Sequence, residues 1–216
     1  MALRTLDIGD TLSKGWTVFQ ANMGLLVVAG IISSLVSLFS LGILSGAMAV
    51  GVLLVVKRLI ANDPVRPVAG DVFKGLDAFL QGLILTILAA VTLAVLARIP
   101  VINAVAGLVV GAFVSWALMF VAFERLSAID AIKKIIVHLK AGEFTVPLVL
   151  AGIACLISAL GGLLCCVGGF FTGPIAMCAM VCAYETLFGA GAEGPTVRMT
   201  TPLETPPRPP NNDLRL

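Results

Sequence analysis

The stretch GLLVVAGIISSLVSLFSLGILSGAMAVGVLLVVKRLI, residues 24–60, decides the fold, because its only charges, Lys57 and Arg58, stand at its far end. A bilayer core of roughly 30 Å takes about 20 apolar residues of helix. These 37 residues are therefore too many for one crossing and enough for two, with the break expected near Leu41-Gly42. Outward from this stretch the same pattern recurs. Residues 78–97 form a third apolar run, closed by Arg98 and Pro100, which are expected to mark a tight turn. Residues 101–123, 145–166 and 168–188 supply a fourth, fifth and sixth.

The whole composition agrees with a chain that lives in lipid. Of 216 residues 59% are hydrophobic and 12% charged, the net charge is +2 and the mean hydropathy is +1.09. An ordinary soluble domain carries about 25% charged residues, and disorder requires low hydrophobicity with high net charge. The expected fold class is all-α: a polytopic bundle of six transmembrane helices arranged as three hairpins, each preceded by an amphipathic interfacial helix.

Those interfacial helices are expected at residues 1–23, near 71–78 and near 127–142. In the first, Ile8, Leu12, Trp16, Phe19 and Met23 recur at helical spacing, and the segment lacks the pattern of a signal peptide. In the second, Asp71 is placed to cap a helix start. In the third, Ile129, Ile132, Ile136 and Leu139 share a face, and Ser127 followed by Asp130 resembles a capping box. The transmembrane domain then covers 24–188, and residues 189–216, with Pro206-Pro207-Arg208-Pro209-Pro210, are expected to be a disordered Pro-rich cytoplasmic tail.

Charge placement sets the orientation. With six crossings, 13 of the 14 Lys and Arg fall on one side and only Arg98 on the other. The positive-inside rule then puts both termini in the cytoplasm. A period near sixty residues is also visible: Ser13-Lys14-Gly15-Trp16-Thr17-Val18-Phe19 corresponds to Phe73-Lys74-Gly75-Leu76-Asp77-Ala78-Phe79, with Lys134 and Leu139 one period further on. Three units entering the membrane the same way would make a parallel internal repeat.

Small residues at four-residue spacing, Gly42 with Gly46, Gly107 with Gly111 and Ser115, Ala154 with Ser158 and Gly162, and Gly169 with Gly173, are read as helix-packing faces. Ser33, Ser37 and Ser40 form a polar stripe that, with Thr172, is the candidate polar path; bonding back to their own helix is the plainer reading of the serines. No Lys, Arg, Asp, Glu or His falls in the middle of an expected crossing, which argues against ion or proton coupling. Gln81, Thr86, Thr92 and Asn103 are read as packing or anchoring groups.

Catalytic chemistry has little to rest on. His138 shares a helix face with Lys134 and Asp130 but lacks a nameable nucleophile, and it is read as a solvated residue at headgroup level. Asp71 with Asp77 makes no convincing acid–base pair. Cys155, Cys165, Cys166, Cys178 and Cys182 all fall in the last hairpin. Cys178 and Cys182 with Met177 and Met180 suggest a soft-metal site, but small apolar packing is preferred. No enzymatic activity, metal, cofactor or nucleic-acid partner is expected. The lipid bilayer is, and a protein partner would meet the interfacial helices or the PxxP tail.

Lys14-Gly15-Trp16, Gly46, Asp71-Val72-Phe73-Lys74-Gly75-Leu76, Asp130-Ala131-Ile132-Lys133, and Gly168 through Gly173-Pro174 with Tyr184 together resemble a bacterial group of six-helix membrane proteins. That group has no assigned function and is related to the membrane domain of some glycerophosphoryl diester phosphodiesterases. The likeness covers roughly residues 7–188 and brings no catalytic signature; the run Asp130-Ala131-Ile132-Lys133-Lys134-Ile135 departs from the Glu-Ala-Leu-and-serine pattern frequent there. The resemblance implies a bacterial inner-membrane location. The functional expectation is a non-enzymatic integral membrane protein that organises or regulates a membrane process, the alternative being a permease or channel for a small or lipid-like solute.

Overall fold

A right-angle bend and a chain reversal, at Asn22 and at Leu41-Gly42, set the layout of the first three helices. At Asn22 the backbone leaves helical geometry (φ −130°, ψ 25°), and the helices on either side meet at 92°. At Leu41 and Gly42 both residues take positive φ, 52° and 82°, and the chain turns back on itself. The structure is a computed structural model describing residues 6–96, 100–142, 144–164 and 168–189. Among these the chain is all-helical, without a strand. In order come α1 (Ile8–Ala21), α2 (Met23–Phe39), α3 (Ser45–Ile60), a 3-10 helix (Ala69–Ala78), α4 (Phe79–Leu96), α5 (Pro100–Glu124), α6 (Ala128–Lys140), α7 (Thr145–Leu164) and α8 (Gly168–Phe188).

Three of these units are long and apolar enough to cross a membrane: Ala69–Leu96, Val105–Glu124 and Phe171–Phe188. A fourth is added if α1 and α2 are taken as one bent span. The helices α2 and α3 have 17 and 16 residues, and the apolar part of α7, Thr145–Gly161, falls in the same shorter class.

Packing is arranged around α3, α5 and α8. Contacts join α3 to both α5 and α8, and Phe120 on α5 meets Tyr184 and Phe188 on α8 at ring distances of 5.9 and 5.3 Å. Met48, Val52, Val55 and Val56 from α3, Trp116, Met119 and Phe120 from α5, and Cys178 and Val181 from α8 are all buried there. The remaining long helices fill the grooves outside: α2 touches α3 and α8, α4 touches α3 and α5, and α7 touches α5 and α8. Small residues allow the close approaches. A methyl added at Gly46 would overlap the backbone of Gly82 on α4, the close backbone approach that small side chains permit between helices.

Each short amphipathic element seats on a helix already named: α1 on α8, the 3-10 helix on α3, and α6 on α5. In α1, Asp7 caps the start by accepting the Asp10 N–H at 3.1 Å. The buried residues are Thr11, Gly15 and Phe19, one stripe at four-residue steps. Gly15 lies so close to α8 that a Cβ would stand 2.6 Å from the Ala179 nitrogen. The side of α1 that meets the protein is thus Thr11, Gly15 and Phe19, while Trp16 and Met23 are exposed and Ile8 and Leu12 pack at the core's margin.

The second element, where a helix is expected near 71–78, is a ten-residue 3-10 helix, Ala69–Ala78. Val72 and Gly75 press into α3, where methyls at Gly51 and Gly75 would each overlap the opposing backbone. Asp71 does not cap it from the N-cap position, held by Val68; it sits three residues in and accepts the Val68 N–H at 3.1 Å. In α6, Ser127 is the N-cap and accepts the Asp130 N–H at 3.2 Å, as its spacing suggested. The expected turn at Arg98, the outer turn with Cys165-Cys166 and the tail from residue 190 lie outside the described residues.

Candidate functional site

Two places concentrate polar groups, and they lie at opposite parts of the bundle. The first is where α3 and α5 end and α8 nears its end. Glu124 closes α5 and accepts Lys134 Nζ from α6 at 2.7 and 2.5 Å and the Tyr184 hydroxyl from α8 at 2.9 Å. The Lys134 ammonium also stands 4.7 Å from the Phe120 ring centre and 5.6 Å from that of Phe188. Lys57, at the end of α3, lies 4.4 Å over Phe123 and 4.0 Å from the Glu185 carboxylate. Aromatic faces carry negative charge density, so rings and carboxylates here hold the same cations.

A second charged set flanks it. Arg58 donates from Nε to Asp63 at 3.0 Å and from Nη1 to Asp71 at 3.2 Å, and Lys74 reaches Asp71 at 2.7 Å. Asp71 is held below the ordinary aspartate range first by its bond with Lys74, then by the Val68 N–H, with the Arg58 charge adding to both. Asp63 is lowered chiefly by its Arg58 bond and the Val65 N–H. Asp130 is lowered chiefly by the Ser127 hydroxyl and then by Lys133. These carboxylates are fixed as anions, which suits them to tie elements together and unsuits them to trade protons near neutrality.

The second place is a cavity of about 220 Å³ between α2, α3 and α8. Gly30, Ser33, Ser34 and Ser37 on α2 face Ser45, Met48, Ala49 and Val52 on α3 and Gly173, Pro174 and Met177 on α8. It lies in the late half of α2 and the early parts of α3 and α8, hence away from the charged end. Toward that end Leu26, Ala29, Val55, Val56 and Val181 are fully buried. The Ser33 hydroxyl donates to the Ala29 carbonyl at 2.8 Å and that of Ser45 to Gly42 at 2.6 Å. Among the described residues, the hydroxyls of Ser34 and Ser37 have no hydrogen-bond partner.

The four residues expected to border a polar path are divided between three places. Ser33 and Ser37 line the cavity. Ser40 belongs to the turn, donating to the Ser37 carbonyl at 3.1 Å and accepting the Leu44 N–H. Thr172 is turned toward α7, where a methyl on Gly161 would overlap its hydroxyl. The expected packing glycines divide similarly. Gly46 is pressed against Gly82, and a Cβ at Gly111 would lie 3.2 Å from Cys155 Sγ. Gly42 is in the turn rather than on a helix face, and Gly42, Gly107 and Gly173 would each meet nothing within 4 Å. The surroundings of Gly169 lie outside the described residues.

His138 is half-buried rather than solvated, stacked 6.2 Å from Phe144 and edge-on 5.8 Å from Phe188. The Gln81 carbonyl oxygen accepts the Ala128 N–H, the first of α6, at 2.8 Å. Thr86 and Thr92 bond back to their own helix. Cys178 and Cys182 are buried as free thiols, and no three His, Cys, Asp or Glu among the described residues converge to hold a metal.

Sequence reasoning missed the joining of Glu124, Lys134 and Tyr184, which are separated by up to 60 residues. The available signal was modest: an acid ending an apolar run, and the chain's single tyrosine near the end of another. Ser34 and Ser45 were missed as cavity residues, although Ser33, Ser34 and Ser37 have the spacing of one helix face. No protein-family model, curated protein or solved structure matches the chain.

Proposed function

We propose that this chain is an integral protein of the bacterial inner membrane, with six spans as three hairpins and both termini in the cytoplasm, that organises or regulates a membrane process without catalysing a reaction. The six-span reading adds α2, α3 and α7 to the three long apolar units. At 1.5 Å per residue, 16 or 17 helical residues reach about 25 Å, near the lower limit for a span. The neighbour relations also support three equivalent units, since every outer helix lies between two inner ones and every amphipathic element seats on an inner one.

The observation that carries the functional reading is the close packing of Leu26, Ala29, Val55, Val56 and Val181 across the half of the bundle nearer the charged end, with the ion pairs of Glu124, Lys134, Lys57 and Glu185 gathered at that end. A permease or channel for a small or lipid-like solute, the alternative, needs a passage past Leu26, Ala29, Val55, Val56 and Val181, which are fully buried. The partner-facing parts are then the amphipathic elements, where Trp16, Phe73, Ile129 and Val137 are exposed. A photo-crosslinking residue at each of these four positions, in the full chain in bacterial membranes, tests this. The expected result is a discrete adduct to one protein from at least two elements. Adducts to lipid alone, or solute flux through reconstituted vesicles that closing the cavity abolishes, would overturn it. Reporter fusions to both termini and near Arg98 test the topology, and an external C-terminus would refute it.

A further inference from the structure

We propose that the serine-lined cavity between α2, α3 and α8 is a binding site for a neutral amphiphile that presents a hydroxyl group on an apolar body, the alcohol class of ligand. The inference goes beyond the organising role above and does not depend on it.

Four features of the site set the chemistry. Its wall holds four hydroxyls, Ser33, Ser34, Ser37 and Ser45, and no charged side chain. An ion would find neither a counter-charge nor a set of convergent ligands, so the occupant is neutral. Two of the hydroxyls are already committed to their own backbone as donors and retain accepting capacity; Ser34 and Ser37 are free both to donate and to accept. A ligand hydroxyl, itself donor and acceptor, matches that set. The rest of the wall, Met48, Ala49, Val52, Pro174 and Met177, is apolar, and the thioethers adapt to irregular shapes. That half of the wall suits an alkyl body better than a fully hydroxylated solute.

The volume and the closed end complete the argument. A cavity of about 220 Å³ is the share of about seven liquid waters, room for a small organic group. Pro174, inside α8, contributes its apolar ring to the wall. Because Leu26, Ala29, Val55, Val56 and Val181 close the charged end, a molecule entering here stops here. That geometry is one of binding rather than passage.

The test uses the purified full chain in detergent and a diazirine-bearing medium-chain alkanol, with labelled peptides identified by mass spectrometry. Labelling is expected on segments 30–37, 45–52 and 173–177, and to fall at least tenfold with excess 1-octanol. Octane at equal free concentration is expected to compete at least tenfold less well, because it lacks the hydroxyl. The double substitution Ser34→Ala with Ser37→Ala is expected to weaken octanol competition about tenfold, the worth of one to two net hydrogen bonds. Ala49→Leu, which fills the cavity, should abolish the labelling. Thermal melting of each variant confirms that it folds; if Ala49→Leu does not, the serine pair alone decides. Equal competition by octane, labelling spread over the outer faces of α4 and α7, or octanol competition unchanged in the serine double variant would each overturn the proposal and leave a water-filled gap.

Discussion

Replacing Glu124 by Gln measures how firmly α5, α6 and α8 are tied at the charged end. The side chains of Glu124 and Lys134 are 28% and 29% exposed, between an open surface pair, worth about 0–1 kcal/mol, and a buried one, whose rupture costs about 3–5 kcal/mol. Gln retains an acceptor for Tyr184 but turns a charge-assisted bond, worth about 1.5–3 kcal/mol, into a neutral one near about 1 kcal/mol. Lys134 loses its carboxylate but keeps the rings of Phe120 and Phe188, which contribute about 0.5–2 kcal/mol. The net loss expected for Glu124→Gln is about 2 kcal/mol. Lys134→Met, which retains the alkyl contact with the rings, should cost about the same, because it strands the carboxylate. The double variant should cost less than the sum, by about 1–2 kcal/mol of coupling. Reversible unfolding of the detergent-solubilised protein, titrated with a denaturing detergent and followed by tryptophan fluorescence, provides the assay. Strict additivity within about 0.3 kcal/mol would refute the idea that these residues form a tie.

Gly75→Ala should destabilise strongly, by about 3 kcal/mol or more, because the new methyl would overlap the α3 backbone; Gly107→Ala, in open space, should be neutral or slightly stabilising in the same titration. Leu41→Gly should raise the melting temperature, since Leu41 holds φ 52° while 91% exposed and left-handed geometry costs a non-glycine residue about 1–2 kcal/mol. Trp116→Ala should cost about 3–5 kcal/mol, as Trp116 is fully buried and its indole N–H donates to the Pro147 carbonyl at 3.0 Å. Asp71 is an acid whose folded value is depressed, so its stabilisation is complete above the ordinary 3.8 and is lost as pH falls through the lowered value. Melting temperature should accordingly fall on acidification below 3.8, and less steeply in Asp71→Asn; an unchanged slope would show that Asp71 contributes nothing.

The parts legible in advance were those governed by local rules. The start of α6 is written in Ser127 and Asp130, and the reversal after α2 in Leu41-Gly42, because capping and turn geometry depend on neighbours three or four residues away. The buried face of α1 was not legible in this way. Apolar periodicity marks Trp16 and Met23 as part of the stripe of a surface helix and says nothing of the face that α8 accepts, Thr11, Gly15 and Phe19; the deciding fact there is the clearance at Ala179 in a distant segment. The 3-10 helix has the same origin, since Val72 and Gly75 are drawn onto α3 through Gly51. Thr172 and Ser33 look alike on paper, yet one turns to α7 and the other to the cavity. The Glu124, Lys134 and Tyr184 contact brings three isolated letters from three helices together, which periodicity within one helix cannot foresee.

The seat of α1 on α8 gives the chain an order of assembly. As the polypeptide leaves the ribosome, the 3-10 helix finds α3 already made and α6 finds α5 already made. The first helix has no such companion, because its platform, α8, is made after every other described helix. Until α8 is made, Thr11, Gly15 and Phe19 therefore lie without their final cover, and docking at Ala179 joins the first described helix to the last. A chain interrupted before α8 would keep that stripe uncovered, so the burial of Thr11, Gly15 and Phe19 reports that α8 has been made and docked.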